Sequence, residues 1–163
     1  MEYISKQKAL EKGFTKKNGI IYKKSLLEIW YAKNWLEMPN SKFTAEDRLN
    51  AGLLLAADFY AMSSANLRSG YILNTKIDGT RGESASVIKS QMQNSYIHAV
   101  KVVPSEFWPV VRKICIEEAD PVPLSVISER QKAYFNYLVR VDLCRGLDRL
   151  VEHYNQKLKL NKK

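Results

Sequence analysis

The chain has 163 residues, of which 45% are hydrophobic and 26% charged, so it can bury the core of one domain. This composition excludes a disordered chain, and no run approaches the roughly 18 apolar residues of a membrane-spanning helix. The amino-terminal residues lack the apolar core of a signal peptide, and we therefore expect a soluble, cytoplasmic protein.

The net charge of +9 is concentrated at the two ends of the chain. Residues 1–33 carry eight lysines against three glutamates, and residues 130–163 carry nine lysines or arginines against three acids. Residues 34–129 have a small acidic excess. Basic ends can neutralise phosphates, contact an acidic protein or act as solubilising tails. We predict contact with nucleic acid or with a transcription complex.

Residues 1–24 are predicted to form a basic arm or a small hairpin. The dipeptide Asn18-Gly19 is a strong turn signal, and apolar residues flank it on both sides. A hairpin and a loop both agree with this pattern. As a basic arm, the segment would contact phosphates through Lys16, Lys17, Lys23 and Lys24.

Two helices are predicted over residues 25–37 and 44–62. Thr44 is placed to cap the second helix, with Asp47 as a short-armed capping-box partner. Gly52 lies in a small, apolar run of this helix and costs about 1 kcal/mol relative to alanine. A close helix crossing at Gly52 would explain that cost, and we expect this helix to be central.

Residues 63–83 are rich in turn-forming side chains and are predicted to be a mobile linker, with a short strand over 69–77 as an alternative. A third helix is predicted over 84–102, and a fourth is predicted to begin after an N-cap at Ser105. The fourth helix closes in acids, which oppose the helix dipole, so we expect a partner or a basic helix to neutralise them. The predicted protein-interaction site consists of Trp108, Glu117, Glu118 and Asp120.

Residues 128–156 contain no proline and one glycine, and their apolar side chains recur at helical spacing after an N-cap at Ser128. The apolar stripe changes face near Gly146, which fits either one helix with two sets of partners or two helices. We favour one long helix at the core of the domain, followed by a basic tail over 157–163. The predicted fold is an all-α bundle of about five helices built around this carboxyl-terminal helix.

The basic residues of this last segment are the other predicted nucleic-acid contacts: Arg130, Lys132, Arg140, Arg145, Arg149 and Lys157. In the most specific arrangement, a helix-turn-helix centred on Gly146 would place residues 147–156 in a groove of DNA. Arg149, His153, Asn155 and Gln156 would then reach base edges. Asp148 and Glu152 would repel the DNA backbone in that arrangement.

The chain lacks the residue patterns of common catalytic sites. Its two histidines and two cysteines do not have zinc-ligand spacing, and no nucleophile motif surrounds them. We therefore predict a binding protein that is not an enzyme and that holds no metal or cofactor. Cys115 and Cys144 occupy apolar helical positions and are expected to be buried, reduced thiols.

Two segments resemble a known family. Residues 45–59, AEDRLNAGLLLAADF, carry an Ala-Gly helix that closes in Asp-Phe, and residues 146–150 read Gly-Leu-Asp-Arg-Leu before a closing His153-Tyr154. Their order and spacing resemble an uncharacterised alphaproteobacterial domain family, found in the carboxyl-terminal half of proteins that activate gene transfer agent (domesticated phage) expression. The resemblance covers residues 26–154. It implies an all-helical regulator associated with DNA or RNA polymerase, and it implies no catalytic residues.

Larger members of that family carry a further amino-terminal DNA-binding region, where this chain has about 25 lysine-rich residues. We therefore predict a stand-alone, phage-derived or mobile-element-related version. Its expected function is transcription regulation through DNA, RNA polymerase or both. The alternative is a protein-interaction module without direct nucleic-acid contact.

Overall fold

The computed structural model describes residues 14–17, 20–73, 82–121 and 128–160, with side chains placed for 24–64, 91, 93–121 and 128–160. The helices in these ranges are α1 (Leu26–Ala32), α2 (Ala45–Leu73), α3 (Gly82–Val102), α4 (Trp108–Cys115) and α5 (Glu129–Leu160). The predicted all-α bundle with a long carboxyl-terminal helix is thereby confirmed. No helix in the described ranges has the length and apolar character needed to cross a bilayer.

A two-stranded antiparallel sheet precedes the bundle. Strand β1 (Phe14–Lys17) pairs with β2 (Ile20–Lys23), so that Phe14 lies opposite Lys23. The hairpin alternative of the sequence analysis is therefore the observed one, although the Asn18-Gly19 turn itself lies outside the described residues.

Side-chain caps fix where three helices begin. Ser25 and Glu28 form a reciprocal capping box at the start of α1. At α2, Asp47 N donates to Thr44 Oγ1 at 3.1 Å and Thr44 N donates to Asp47 Oδ2 at 2.9 Å, which confirms the predicted pair. Ser128 Oγ accepts from the amide three residues later at 3.2 Å, as predicted for α5.

Two predicted helix ends are wrong. Helix α1 ends at Ala32 because the chain turns through Asn34, whose φ of 58° lies in the left-handed region that asparagine tolerates. Helix α2 continues to Leu73, so residues 63–73 are helical and not a linker or strand. Ser63 Oγ donates to the carbonyl of Phe59 at 3.0 Å, which shows how a turn-forming residue fits inside a helix. Residues 74–81 of the predicted loop lie outside the described residues.

The predicted N-cap at Ser105 is also wrong. The amides of Phe107 and Trp108 donate to the Pro104 carbonyl at 3.0 and 3.1 Å, so a backbone turn leads into α4. The N-cap residue is Phe107, which makes no side-chain capping bond, and a proline occupies the first turn as expected.

Helix α2 is central, because it contacts each of the other four helices. A Cβ atom added at Gly52 would lie 2.3 Å from Leu27 Cδ2 and 3.2 Å from Cys115 Sγ. The close approach inferred from this glycine is therefore present. Cys115 and Cys144 are free and buried, as predicted, and burial raises the pKa of the Cys115 thiol to about 12.

Helix α5 passes through Gly146 without a break and ends at Leu160. The choice between one helix and two is thereby decided in favour of one, and the first four residues of the predicted basic tail belong to it. Its apolar stripe is buried only from Val139 onward, whereas Tyr134 and Tyr137 are 62% and 58% exposed. The first turns of the predicted core stripe are therefore exposed to solvent.

Candidate functional site on the long helix

The outward side of α5 carries two exposed arginines, Arg145 and Arg149, one helical turn apart. Leu143, Leu147 and Leu150 are fully buried, so the helical period turns the arginines away from the core. Both arginines line a groove of about 570 Å³. The other lining residues come from the connection before α2, including Lys42, and from the turn before α4, including Glu106.

An ion pair between α2 and α5, buried on its arginine side, lies beneath this groove. Arg48 is completely buried, and its Nε and Nη2 donate to the two carboxylate oxygens of Asp148 at 2.6 and 3.1 Å. The guanidinium also donates to the Leu36 carbonyl at 2.8 Å and to Ser41 Oγ. One arginine therefore joins two helices and the connection between α1 and α2, which positions Lys42 relative to the arginines of α5.

Charges of both signs line the groove. Arg149 Nη1 lies 3.5 Å from Glu152 Oε2, and this exposed pair is worth about 1 kcal/mol or less. Asp148 is engaged by Arg48, and Glu106 is exposed. Within the described residues, neither Lys42 nor Arg145 has an ion-pair partner. The groove therefore offers two uncompensated cations, and a third that is held only by a weak pair.

A second groove, of about 330 Å³, shares Arg145 with the first and is lined by Arg140, Tyr137 and Met38 among others. The Arg140 guanidinium carbon lies 5.6 Å from the centre of the Trp35 ring, a cation–π distance. Its Nε is buried and has no hydrogen-bond partner among the described residues. Arg140, Arg145 and Arg149 therefore border two adjacent grooves.

The other predicted basic contacts do not join this surface. Arg130 and Lys132 are exposed in the first turns of α5, with Arg130 about 22 Å along the axis from Arg145. Lys157, near the other end, donates to Ser95 Oγ at 2.7 Å. Lys24 is half-buried before α1. Lys16, Lys17 and Lys23 lie in the hairpin strands, and their side chains are outside the described residues.

The predicted acidic interaction site is largely engaged with its own chain. Trp108 is half-buried and packs against the core. Helix α4 ends at Cys115, so the prediction that the acids close this helix is wrong. Arg112 Nε, in the last turn of α4, lies 2.8 Å from Glu117 Oε1, so this helix itself supplies a neutralising cation. Glu118 is exposed with a left-handed φ of 51°, and Asp120 is exposed and has an interaction of its own.

The predicted helix-turn-helix at Gly146 is wrong, because α5 has no turn there. A Cβ atom at Gly146 would lie 2.5 Å from Val111 Cγ2, so this glycine allows α4 to cross closely over an unbroken helix. Of the proposed base-reading side chains, Arg149, Asn155 and Gln156 are exposed, and His153 is half-buried.

A network of polar side chains joins α2, α3 and α5 around Asp58. Asp58 on α2 accepts hydrogen bonds from Tyr154 Oη at 2.9 Å and from Ser95 Oγ at 3.0 Å. Burial, followed by the negative charge of Asp58, raises the pKa of Tyr154 above its ordinary range. Burial lowers the pKa of the neighbouring His153; Lys157 and His98 lower it further, whereas Asp58 opposes the shift.

The lowered pKa of His153 predicts a loss of stability in acid. A folded-state pKa below 6.5 means that the neutral imidazole stabilises the fold above pH 6.5, and that this contribution is lost as the pH falls through the folded pKa. We expect the free energy of unfolding to drop more between about pH 7.5 and pH 5 in the wild-type protein than in His153→Gln. Urea unfolding at both pH values measures this, and equal drops would contradict it. His98→Gln, which changes an exposed histidine, should keep most of the wild-type drop.

The Arg48–Asp148 ion pair was not predicted from the sequence, where Asp148 was considered as a charge that would repel the DNA backbone. One signal was available. Arg48 shares a helical face with Ala51 and Leu55, which are buried, and a charged residue in such a stripe requires a partner. The partner itself is 100 residues away and could not be identified from spacing.

Comparison of the chain with models of protein families, with curated proteins and with solved structures gave no match.

Proposed function

We propose that the protein is a transcription-associated regulator of phage or mobile-element origin, which contacts nucleic acid through the outward side of α5. One observation carries the proposal: Arg145 and Arg149 are exposed one turn apart and share a groove with Lys42, on a surface held by the Arg48–Asp148 pair. The basic ends of the chain and the resemblance of residues 26–154 point to the same class of function.

Phosphate contact suits this geometry better than base reading. Guanidinium groups bind phosphate through two parallel hydrogen bonds, and Arg145 has no competing ion pair among the described residues. The weak Arg149–Glu152 pair can yield to a phosphate. Glu106 and Glu152 reduce the net attraction of the groove, so we expect binding that depends strongly on salt and weakly on sequence.

Replacing both arginines tests this directly. Arg145→Gln/Arg149→Gln should weaken binding to duplex DNA by about tenfold or more, and should reduce the slope of log affinity against log salt by about 2, since each phosphate contact contributes about 0.9. Fluorescence anisotropy of a labelled duplex, titrated between 50 and 200 mM salt, measures both effects.

The matched control is Lys101→Gln/Lys113→Gln, which removes the same charge from exposed positions on α3 and α4. Equal losses in the two variants would show a diffuse charge effect and would remove the assigned site. Wild-type protein that does not bind at 50 mM salt would remove direct DNA contact altogether.

A protein-interaction module without nucleic-acid contact is the second candidate, favoured by the exposed tyrosines of α5. For this candidate we expect no change in the anisotropy of labelled DNA on titration with the protein, together with retention of purified RNA polymerase on the immobilised protein.

A further inference from the structure

The amino-terminal half of α5 presents an uncovered apolar face. Tyr134, Tyr137 and Leu138 are 62%, 58% and 38% exposed, and with Val141 they follow the spacing of one helical face. Phe135, beside them, is 37% exposed and lies edge-on to Tyr134 with ring centres 6.3 Å apart. Contiguous exposed apolar side chains of this kind mark sites of association.

This face leads directly into the 330 Å³ groove. Tyr137 and Val141 line that groove together with Met38, Pro39 and Arg140. The buried Nε of Arg140 has no hydrogen-bond partner among the described residues, although its guanidinium stacks near Trp35. A buried donor without a partner is costly, and a carboxylate entering the groove would satisfy it.

The charges around the exposed apolar face of α5 indicate which kind of partner would bind there. Arg130 and Arg145 share the helical face of Tyr134 and Tyr137, and Arg140 lines the groove beside Val141. The acids at this surface are Glu37 in the groove and Asp142 at the edge of the helical face. An apolar stripe bordered mainly by cations complements a helix with its own apolar stripe and flanking acids. A second copy of this face would instead bring arginines against arginines.

We propose that the amino-terminal half of α5 is the docking site for an acidic amphipathic helix of a partner protein. Residues 130–141 span about 17 Å, which is three helical turns. Apolar side chains of the partner pack on Tyr134, Tyr137 and Leu138, and one of its carboxylates reaches Arg140. This surface adjoins the groove of Arg149 and Lys42 and shares Arg145 with it. The proposal itself rests on the tyrosines and Arg140, which take no part in the proposed nucleic-acid contact.

Peptide display selection tests which kind of helix binds this face, and it does not require that the partner protein be known. A library of randomised helical peptides is selected on the full-length protein and counter-selected on Tyr134→Ala/Tyr137→Ala. We expect enriched sequences with apolar residues at i, i+3, i+4 and i+7 and with flanking Asp or Glu. Enrichment of basic sequences, or of none that depends on the two tyrosines, overturns the proposal.

The affinities of the best selected peptide then locate the contacts. Tyr134→Ala/Tyr137→Ala should weaken binding by about tenfold or more, because exposed aromatic anchors dominate such interfaces. Arg140→Gln should weaken peptide binding several-fold. The affinity of Arg140→Lys should lie between those of the wild type and Arg140→Gln, because lysine keeps the charge but lacks Nε. The control Tyr31→Ala/Tyr60→Ala removes two exposed tyrosines on α1 and α2 and should leave the affinity unchanged. Far-ultraviolet circular dichroism confirms that each variant is folded.

Two other occupants are distinguished in the same series. If single-stranded nucleic acid displaces the peptide, and its own binding falls with the tyrosine variant but not with Arg145→Gln/Arg149→Gln, the face is a base-stacking surface and the proposal fails. If sedimentation shows a dimer that the tyrosine variant abolishes, the face pairs with a second copy and the proposal fails.

Discussion

Replacing Asp148 with alanine is expected to lower the free energy of unfolding by about 3–5 kcal/mol, because it leaves the fully buried Arg48 guanidinium without a counter-charge. The remaining acceptors of Arg48, the Leu36 carbonyl and Ser41 Oγ, are neutral and cannot replace the carboxylate. The melting temperature should fall by about 6–20 °C for a chain of this size. Urea unfolding followed by circular dichroism gives the free energy directly.

Glu152→Ala is the matched control, since it removes an acid one turn away on the same helix whose ion pair is exposed. Its cost should be about 1 kcal/mol or less. The double variant Arg48→Met/Asp148→Leu should recover much of the stability lost in Asp148→Ala, because an apolar pair has no charge to desolvate. A loss below about 1 kcal/mol for Asp148→Ala would show that Arg48 is not held as described.

Substituting Gly146 with leucine is expected to destabilise the protein by about 2–3 kcal/mol, the usual cost of overpacking a core. The Cβ atom alone would lie 2.5 Å from Val111 Cγ2 and 3.3 Å from Phe107 Cβ. Val111 is fully buried and has a single side-chain torsion, so it cannot move aside cheaply. The gain in helix propensity on replacing glycine offsets less than 1 kcal/mol of this cost.

Asn155→Leu places the same side chain at an exposed position of α5 and should change stability by about 0.5 kcal/mol or less. Chemical unfolding of both variants makes the comparison. The steric origin is tested by a cycle: the cost of Gly146→Ala should shrink in a Val111→Ala background, where the crossing has more space. An unchanged cost would locate the effect elsewhere.

Residues 45–59 and 146–154, the two segments that carry the family resemblance, pack against each other in this chain. Arg48 and Asp58 of the first segment meet Asp148 and Tyr154 of the second. A Cβ at Gly52 would lie 3.3 Å from Leu147 Cδ2. The segments thus supply both sides of the α2–α5 contact, and these four polar residues are engaged in it. The proposed binding contacts therefore use side chains outside these pairs, such as Arg145, Arg149 and the exposed tyrosines.

The sequence by itself determined the features whose causes are local. The caps at Thr44 and Ser128 and the helical spacing of residues 128–156 each depend on a few neighbouring residues. The hairpin and the single long helix were each one of two alternatives that the sequence left open. Gly52 also pointed to a close crossing, because a glycine inside an apolar helix is otherwise a net cost, and the structure contains that crossing. These features were predictable because backbone hydrogen bonds and side-chain period act over one or two turns.

Only the tertiary structure decided which apolar and charged side chains are covered. Apolar side chains recur at helical spacing along the whole of residues 128–156, yet the bundle buries them only from Val139 onward and leaves Tyr134 and Tyr137 exposed. Of the basic residues predicted to bind, the fold brings together Arg140, Arg145 and Arg149 and sends Lys157 to another surface. Asp148 faces Arg48 across 100 residues of chain. Such pairings depend on how helices cross, which no local pattern records.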